Sequence, residues 1–208
     1  MMATEIRGLY AITPDSADTE SLLLMTEQVL AGGAKIIQYR NKMADSLLRQ
    51  EQAQVLVQLC RKHRALFIIN DHIELAIAVD ADGVHVGKDD GSVIEARKKM
   101  GHNSIVGVSC YNRLELAVEA AQQGANYVAF GAFFASSTKP NAVTASVDLL
   151  GKAKQKLFVP IVTIGGITLT NAAALINQGS DAIAVSNALF GSPDIQSTAE
   201  AFSQLFCE

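Results

Sequence analysis

The sequence predicts an α/β fold, a single-domain (β/α)8 TIM barrel spanning residues 1–208, and three observations carry that expectation. Short apolar segments alternate with amphipathic helical ones through eight units. No linker or low-complexity stretch divides them, and their carboxyl ends are polar. Strands are expected at Leu9–Ile12, Ile36–Arg40, Leu66–Asn70, Gly83–Val86, Ile105–Ser109, Tyr127–Phe130, Ile161–Ile164 and Ala182–Val185. Helical periodicity fills the intervals, as over 20–31, 47–62, 93–99, 114–122 and 169–177. Gly33-Ala34, Gly124-Ala125 and Gly179-Ser180 each leave a helix and precede a strand, the pattern of a left-handed glycine cap. A closed barrel removes both edges of the sheet. The open flavodoxin-like or Rossmann sheet is the alternative, but strand one runs Gly8-Leu9-Tyr10-Ala11-Ile12-Thr13-Pro14, without Gly-x-Gly-x-x-Gly, and no P-loop occurs.

Composition narrows the class of function. The chain has 208 residues, 49% of them apolar and 18% charged, the balance of a compact protein with a sizeable core. A net charge of −4 and a pI near 5.6 argue against a general nucleic-acid binder, which needs a broad basic face. No apolar run is long enough to span a bilayer, and the first eight residues lack a secretory pattern, so a cytoplasmic location is expected. The three cysteines, Cys60, Cys110 and Cys207, are scattered and expected to be reduced thiols. Oligomeric state is not legible, and a homo-oligomer is compatible with the sequence.

The strand ends hold the candidate chemistry. On a strand, Gln38, Arg40 and Lys42 share one face while Tyr39 and Asn41 point away, so an amide, a guanidinium and an ammonium stand in a row suited to phosphate. Strand three ends in Asn70-Asp71-His72, strand four runs into Asp89-Asp90, and strand five ends at Ser109. Strand six leads into Ser136-Ser137-Thr138-Lys139, strand seven into Gly165-Gly166, and strand eight ends in Val185-Ser186. Each has a plainer reading as a turn or a helix cap. Asp71 and Asp90 are hard oxygen donors that suit Mg2+ shared with phosphate oxygens. With Arg40, Lys42 and Lys139, that ion and two carboxylates leave about three net positive charges, close to the charge of a diphosphate. Gly165-Gly166 and Ser186 sit where such barrels seat a second phosphate. His85 shares parity with Gly83 and Gly87 and is expected to be a hydrogen-bonded core histidine; His63, His72 and His102 are expected in solvent. Tyr10 is read either as a neighbour of the ligand or as a barrel-core aromatic.

Taken together, Gly8–Thr13, Gln38–Lys42, Ile69-Asn70-Asp71, Gly83–Gly87 with Asp90, Gly107-Val108-Ser109, Ser136–Lys139, Ile164–Ile167 and Val185-Ser186 resemble the thiamine phosphate synthase family in order and spacing. The resemblance implies a barrel enzyme joining hydroxymethylpyrimidine diphosphate to a thiazole phosphate, with release of pyrophosphate. It further implies that Gln38, Tyr39, Arg40, Asn41, Lys42, Asn70, Ser109 and Lys139 hold the pyrimidine diphosphate. By the same resemblance Asp71 and Asp90 hold Mg2+, and Ser136, Ser137, Thr138, Gly166, Val185 and Ser186 hold the thiazole phosphate. Arg40, Lys42, Lys139 and Ser109 are the implied catalytic set. Ala135-Ser136 departs from a proline and threonine often found there, which should loosen that loop. A thiazole tautomerase relative is a competing reading, but this chain has Tyr111 where that isomerase is expected to carry histidine. A silent phosphate-binding barrel is another.

Overall fold

A computed structural model describes residues 6–87, 92–135 and 144–207. Eight parallel strands, β1 (Gly8–Ile12), β2 (Ile36–Tyr39), β3 (Leu66–Asn70), β4 (Gly83–Val86), β5 (Ile105–Tyr111), β6 (Tyr127–Phe130), β7 (Ile161–Ile164) and β8 (Ala182–Val185), close into a barrel in sequence order. Helices α1 (Thr19–Ala31), α2 (Ser46–His63), α3 (Ile73–Ala78), α4 (Val93–Met100), α5 (Leu114–Gln122), α6 (Asp148–Lys156) and α7 (Leu169–Asn177) fill the intervals, and α8 (Asn187–Phe190) and α9 (Ile195–Gln204) follow β8. The (β/α)8 expectation therefore holds and the open-sheet alternative does not. Strand five runs two residues further than its sequence suggests, through a register shift between Ser109 and Tyr111.

Strand alternation sorts the core into two layers. Leu9, Ile37, Tyr39, Phe67, Ile69, Val84, Val106, Val128, Phe130, Ile183 and Val185 point outward and pack beneath the helices. Tyr10, Ile12, Ile36, Ile68, Ile105, Tyr127, Ala129, Val162, Ala182 and Ala184 fill the lumen. Two tyrosines lie there, and one of them is given its space by a glycine. A Cβ added to Gly107 would lie 1.9 Å from Tyr127 Cζ, so the glycine makes room for that ring.

Five helices end in one device. The amides of Ala34, Ala65, Ala81, Ala125 and Ser180 donate to Val29, Cys60, Ala76, Ala120 and Leu175 carbonyls, at 2.9–3.3 Å. Before each of these stands a residue with positive φ: Gly33 (93°), Arg64 (56°), Asp80 (54°), Gly124 (95°) and Gly179 (105°). Glycine marks only three of the five because the left-handed well is open to other residues at a modest cost. Below this, Asp82, Asn126 and Asp181 accept amides at the starts of β3, β5 and β7, from the second residues Phe67 and Val106 and the first residue Ile161, at 2.8, 2.8 and 2.7 Å. These side chains stitch each strand to its neighbour on the face opposite the polar strand ends, leaving the carboxyl-end rim to the loops.

The caps give a paired stability test. Gly124→Ala should lower stability by about 1 kcal/mol because its φ lies outside the comfortable range for a side chain, although an added Cβ would meet Arg97 Nε only at an ordinary contact of 3.7 Å. Arg64→Gly should be neutral or raise the melting temperature by about 2–4 °C. Thermal unfolding of both variants checks the sign of each change.

Candidate active site

Loop β1–α1 holds the end of β2 in place. Thr13 Oγ1 accepts from the Arg40 amide at 2.9 Å and donates to the Arg40 carbonyl at 3.0 Å. Asp15 Oδ1 accepts from the Lys42 amide at 2.6 Å and stands 3.5 Å from Arg40 Nη1. The alternation read from sequence is realised here. Tyr39 turns outward, its hydroxyl donating to Gln52 Oε1 at 2.8 Å. Asn41 donates to Gln52 Oε1 at 3.0 Å and to the Ser16 carbonyl at 2.6 Å, while its own oxygen accepts from the Met43 and Ala44 amides. These two side chains anchor the loop, and burial pushes the Tyr39 phenol up to about 12.

Strand three supplies the acid. Asp71 sits at φ 63° and its amide donates to the His85 carbonyl at 2.8 Å, which extends the β3–β4 pairing by one residue. Asn70 Nδ2 donates to Asp71 Oδ2 at 2.6 Å. The plainer reading of Asp71 as a helix cap is not realised, since the N-cap of α3 is His72. Arg40, Lys42, Asn70 and Asp71 line one cleft of about 260 Å³ together with Tyr39, Asn41, Arg49 and His72. Thr13, Asp15 and Arg49 are additions to the site residues expected from sequence, and His72, expected in solvent, is exposed and lines the cleft. Thr13 and Asp15 follow the end of β1 and were open to the same strand-end rule. Arg49 lies on α2, where spacing gives no hint; its Nη2 donates to the Ala44 carbonyl at 2.6 Å and its buried Nε lacks a partner among the described residues.

Gln38 and Ser109 stand deeper, at the boundary of the lumen. Gln38 Nε2 donates to Tyr10 Oη at 2.7 Å, Tyr10 and Tyr127 hydroxyls are 2.7 Å apart, Tyr127 Oη is 2.9 Å from His85 Nδ1, and His85 Nε2 is 2.8 Å from Ser109 Oγ. His85 is thus the hydrogen-bonded core histidine expected, stacked on Tyr127, and Tyr10 is a barrel-core aromatic. Burial pushes the His85 imidazole down to about 4, so the ring is neutral at physiological pH. Both buried cysteines are inert: burial drives the Cys110 thiol up to about 12 and that of Cys60 further. His72 and His102 are exposed, while His63 is half-buried near Glu27.

Beyond β6, the loop backbone crosses the turn after β7. The amides of Phe133 and Phe134 donate to the Ile164 and Gly165 carbonyls at 3.1 and 3.0 Å. Gly165 (φ 101°) and Gly166 (φ 62°) are required by that crossing, because a Cβ on Gly166 would lie 2.4 Å from the Ala135 carbonyl oxygen. Val185 is buried with its side chain among the helices, so only its backbone can meet a ligand. Ser186 occupies the N-cap position of α8 on the neighbouring strand end, without a side-chain capping bond. Asp90, Ser136, Ser137, Thr138 and Lys139 lie outside the described residues.

With this geometry established, likeness to known proteins decides the family. A family model described as "Thiamine monophosphate synthase" matches residues 9–189. The chain belongs to the thiamine monophosphate synthase family. It is 55% identical over 202 residues to "Thiamine-phosphate synthase" of Nitrosospira multiformis, covering 97% of this chain and 86% of that one. It is 54% identical over 203 residues to the protein of the same name from Nitrosomonas eutropha, covering 98% and 96%. The solved structure "Thiamine phosphate pyrophosphorylase from Pyrococcus furiosus" superposes with a TM-score of 0.86 at 34% identity, covering 98% of this chain and 96% of that one. The activity is thiamine-phosphate synthesis, the condensation of pyrimidine and thiazole moieties with release of pyrophosphate. No helix among the described residues is long and apolar enough to cross a membrane.

His85 gives this site a pH signature in stability. Between about pH 6.5 and 4 the unfolded chain takes up a proton that the folded chain refuses. Stability is therefore full above about 6.5 and falls with acidification, by roughly 3 kcal/mol at the limit below 4. Denaturant midpoints across that range should show a His85→Gln variant with a shallower acid slope than the parent.

Proposed function

We propose that the cleft binds the pyrimidine diphosphate and that its cations stabilise pyrophosphate as it departs. The observation that carries this reading is the shared lining of one cleft by Arg40, Lys42, Asn70 and Asp71, drawn from two strand ends. Gln38 to Lys42, Asn70, Ser109 and Lys139 would hold this substrate, with Tyr39 and Asn41 acting through the loop they anchor. Ser136 to Thr138, Gly166, the Val185 backbone and Ser186 would seat the thiazole phosphate. Two phosphate seats on one rim suit a condensation of two phosphorylated small molecules. The three free cysteines accord with a cytoplasmic setting.

The donor set fits Mg2+. Asp71 offers hard oxygen, and among the described residues no three His, Cys, Asp or Glu side chains cluster into a closed cage. A site of one or two carboxylates completed by phosphate oxygens and water is the habit of this ion. Asp71 and Asp90 would hold it, and when bound it would supply positive charge to the phosphate oxygens. The protein's own part is electrostatic and geometric. Arg40 and Lys42, held by Thr13 and Asp15, would hydrogen-bond the diphosphate in a fixed orientation and match the charge that grows on it as the carbon–oxygen bond breaks. Loss of pyrophosphate leaves a resonance-stabilised pyrimidinylmethyl cation, which the thiazole nitrogen captures. Alignment of the two ligands then completes the reaction without a general-base dyad.

Pyrophosphate release by the purified protein should require both substrates and Mg2+. Proton exchange in thiazole phosphate alone would instead indicate the tautomerase, and silence in both assays a binding protein. Lys139→Ala should lower kcat by at least tenfold, with a smaller change in KM for the pyrimidine diphosphate. Unchanged turnover in that variant would refute the role given to Lys139.

A further inference from the structure

The buried chain from Gln38 to Ser109 has a direction, which follows by donor counting from the Gln38 amide nitrogen facing Tyr10. Each phenol hydroxyl has one hydrogen to give. Among the described residues, Tyr10 Oη meets Gln38 Nε2 at 2.7 Å and Tyr127 Oη at 2.7 Å, and it is almost fully buried. The amide nitrogen can only donate, so Tyr10 accepts there and its own hydrogen must go to Tyr127. Tyr127, having accepted, gives its hydrogen to the remaining neighbour, His85 Nδ1, at 2.9 Å. Nδ1 must then be bare, and the imidazole hydrogen sits on Nε2, which donates to Ser109 Oγ at 2.8 Å. A ring protonated on Nδ1 would push its hydrogen at Tyr127, return the Tyr127 hydrogen to Tyr10, and strand the Tyr10 hydrogen in the lumen. Leaving such a buried donor unsatisfied is costly.

We propose that this one-way chain holds His85 as the Nε2–H tautomer and thereby presents the Ser109 hydroxyl as a hydrogen-bond donor to an anionic oxygen at the rim. Ser109 spends an acceptor lone pair on His85 and keeps its own hydrogen for the ligand. Tyr10, Tyr127 and His85 are on this view positioning residues, and Gln38 positions them in addition to facing the substrate. Gln38 sets the direction, since turning its amide end for end would reverse every donor as far as Ser109. The tautomer assignment stands on the orientation of the Gln38 amide and the hydrogen-bond geometry; the identity of the anion as the pyrimidine diphosphate rests on the function proposed above.

Nitrogen-15 spectra of histidine-labelled full-length protein at neutral pH test the chain without any substrate. The His85 resonance should show a directly bonded hydrogen on Nε2 and a bare Nδ1, and Gln38→Met should remove the single preferred tautomer. A hydrogen on Nδ1 in the parent would overturn the proposal while leaving the synthase reading intact. Kinetics then test the route to Ser109. Ser109→Ala and Tyr127→Phe should each lower kcat/KM for the pyrimidine diphosphate by about tenfold, one hydrogen bond's worth, with KM for the thiazole phosphate unchanged. In the Ser109→Ala background, Tyr127→Phe should have no further effect. Multiplying losses in the double variant would show that Tyr127 acts on activity by another path and would refute its positioning role. Absence of pyrophosphate release by the parent would instead sink the substrate assignment and leave the spectra unaffected.

Discussion

Closing eight parallel strands leaves every second side chain only one direction, into a narrow lumen, and that confinement governs both the packing and the chemistry of this protein. Ile36, Ile68, Ile105 and Val162 fill part of the space dry, and Gly107 yields room to Tyr127. The buried polar groups admitted to the same space, Gln38, Tyr10, Tyr127 and His85, satisfy one another, and the line ends on the half-buried Ser109. They do so in a line that runs from β2 across the lumen to the end of β5. The same parity that buries Gln38 carries Arg40 and Lys42 toward the rim. Core and site are one alternation read at different depths.

The two faces of the barrel divide the work. On the amino-terminal face, Asp82, Asn126 and Asp181 are committed to strand amides, and Lys154 pairs with Asp181 at 2.7 Å. On the carboxyl-terminal face, the backbone of β2's extension is held by Thr13 and Asp15, which lets Arg40 and Lys42 line the cleft. An enzyme that stabilises a departing diphosphate needs such fixed cations more than it needs a proton relay. The asymmetry of the faces supplies them.

Much of this was legible in the chain. The alternation of Gln38, Arg40 and Lys42 against Tyr39 and Asn41 is a local property of an extended backbone, and the structure keeps it. His85 was readable as a core residue from its parity with Gly83. Helix exits were visible at Gly33, Gly124 and Gly179 but silent at Arg64 and Asp80, because nothing in those side chains announces a left-handed conformation. Arg49 escaped notice because it reaches the cleft from a helix, and tertiary packing rather than spacing brings it there. The glycines after β7 were seen as a possible phosphate seat, whereas the structure also shows that the β6 loop backbone needs them. Short helices such as α3 and α8 leave too few turns for a periodicity to register.

The central claim is that cationic and acidic strand ends meet at one rim to hold a diphosphate. A crystal structure of the protein with pyrophosphate and Mg2+ tests it most directly. The anion should lie in the cleft between Arg40, Lys42 and Asp71, at the carboxyl ends of β2 and β3. Pyrophosphate bound on the amino-terminal face, or away from these side chains with the cleft empty, would contradict the account.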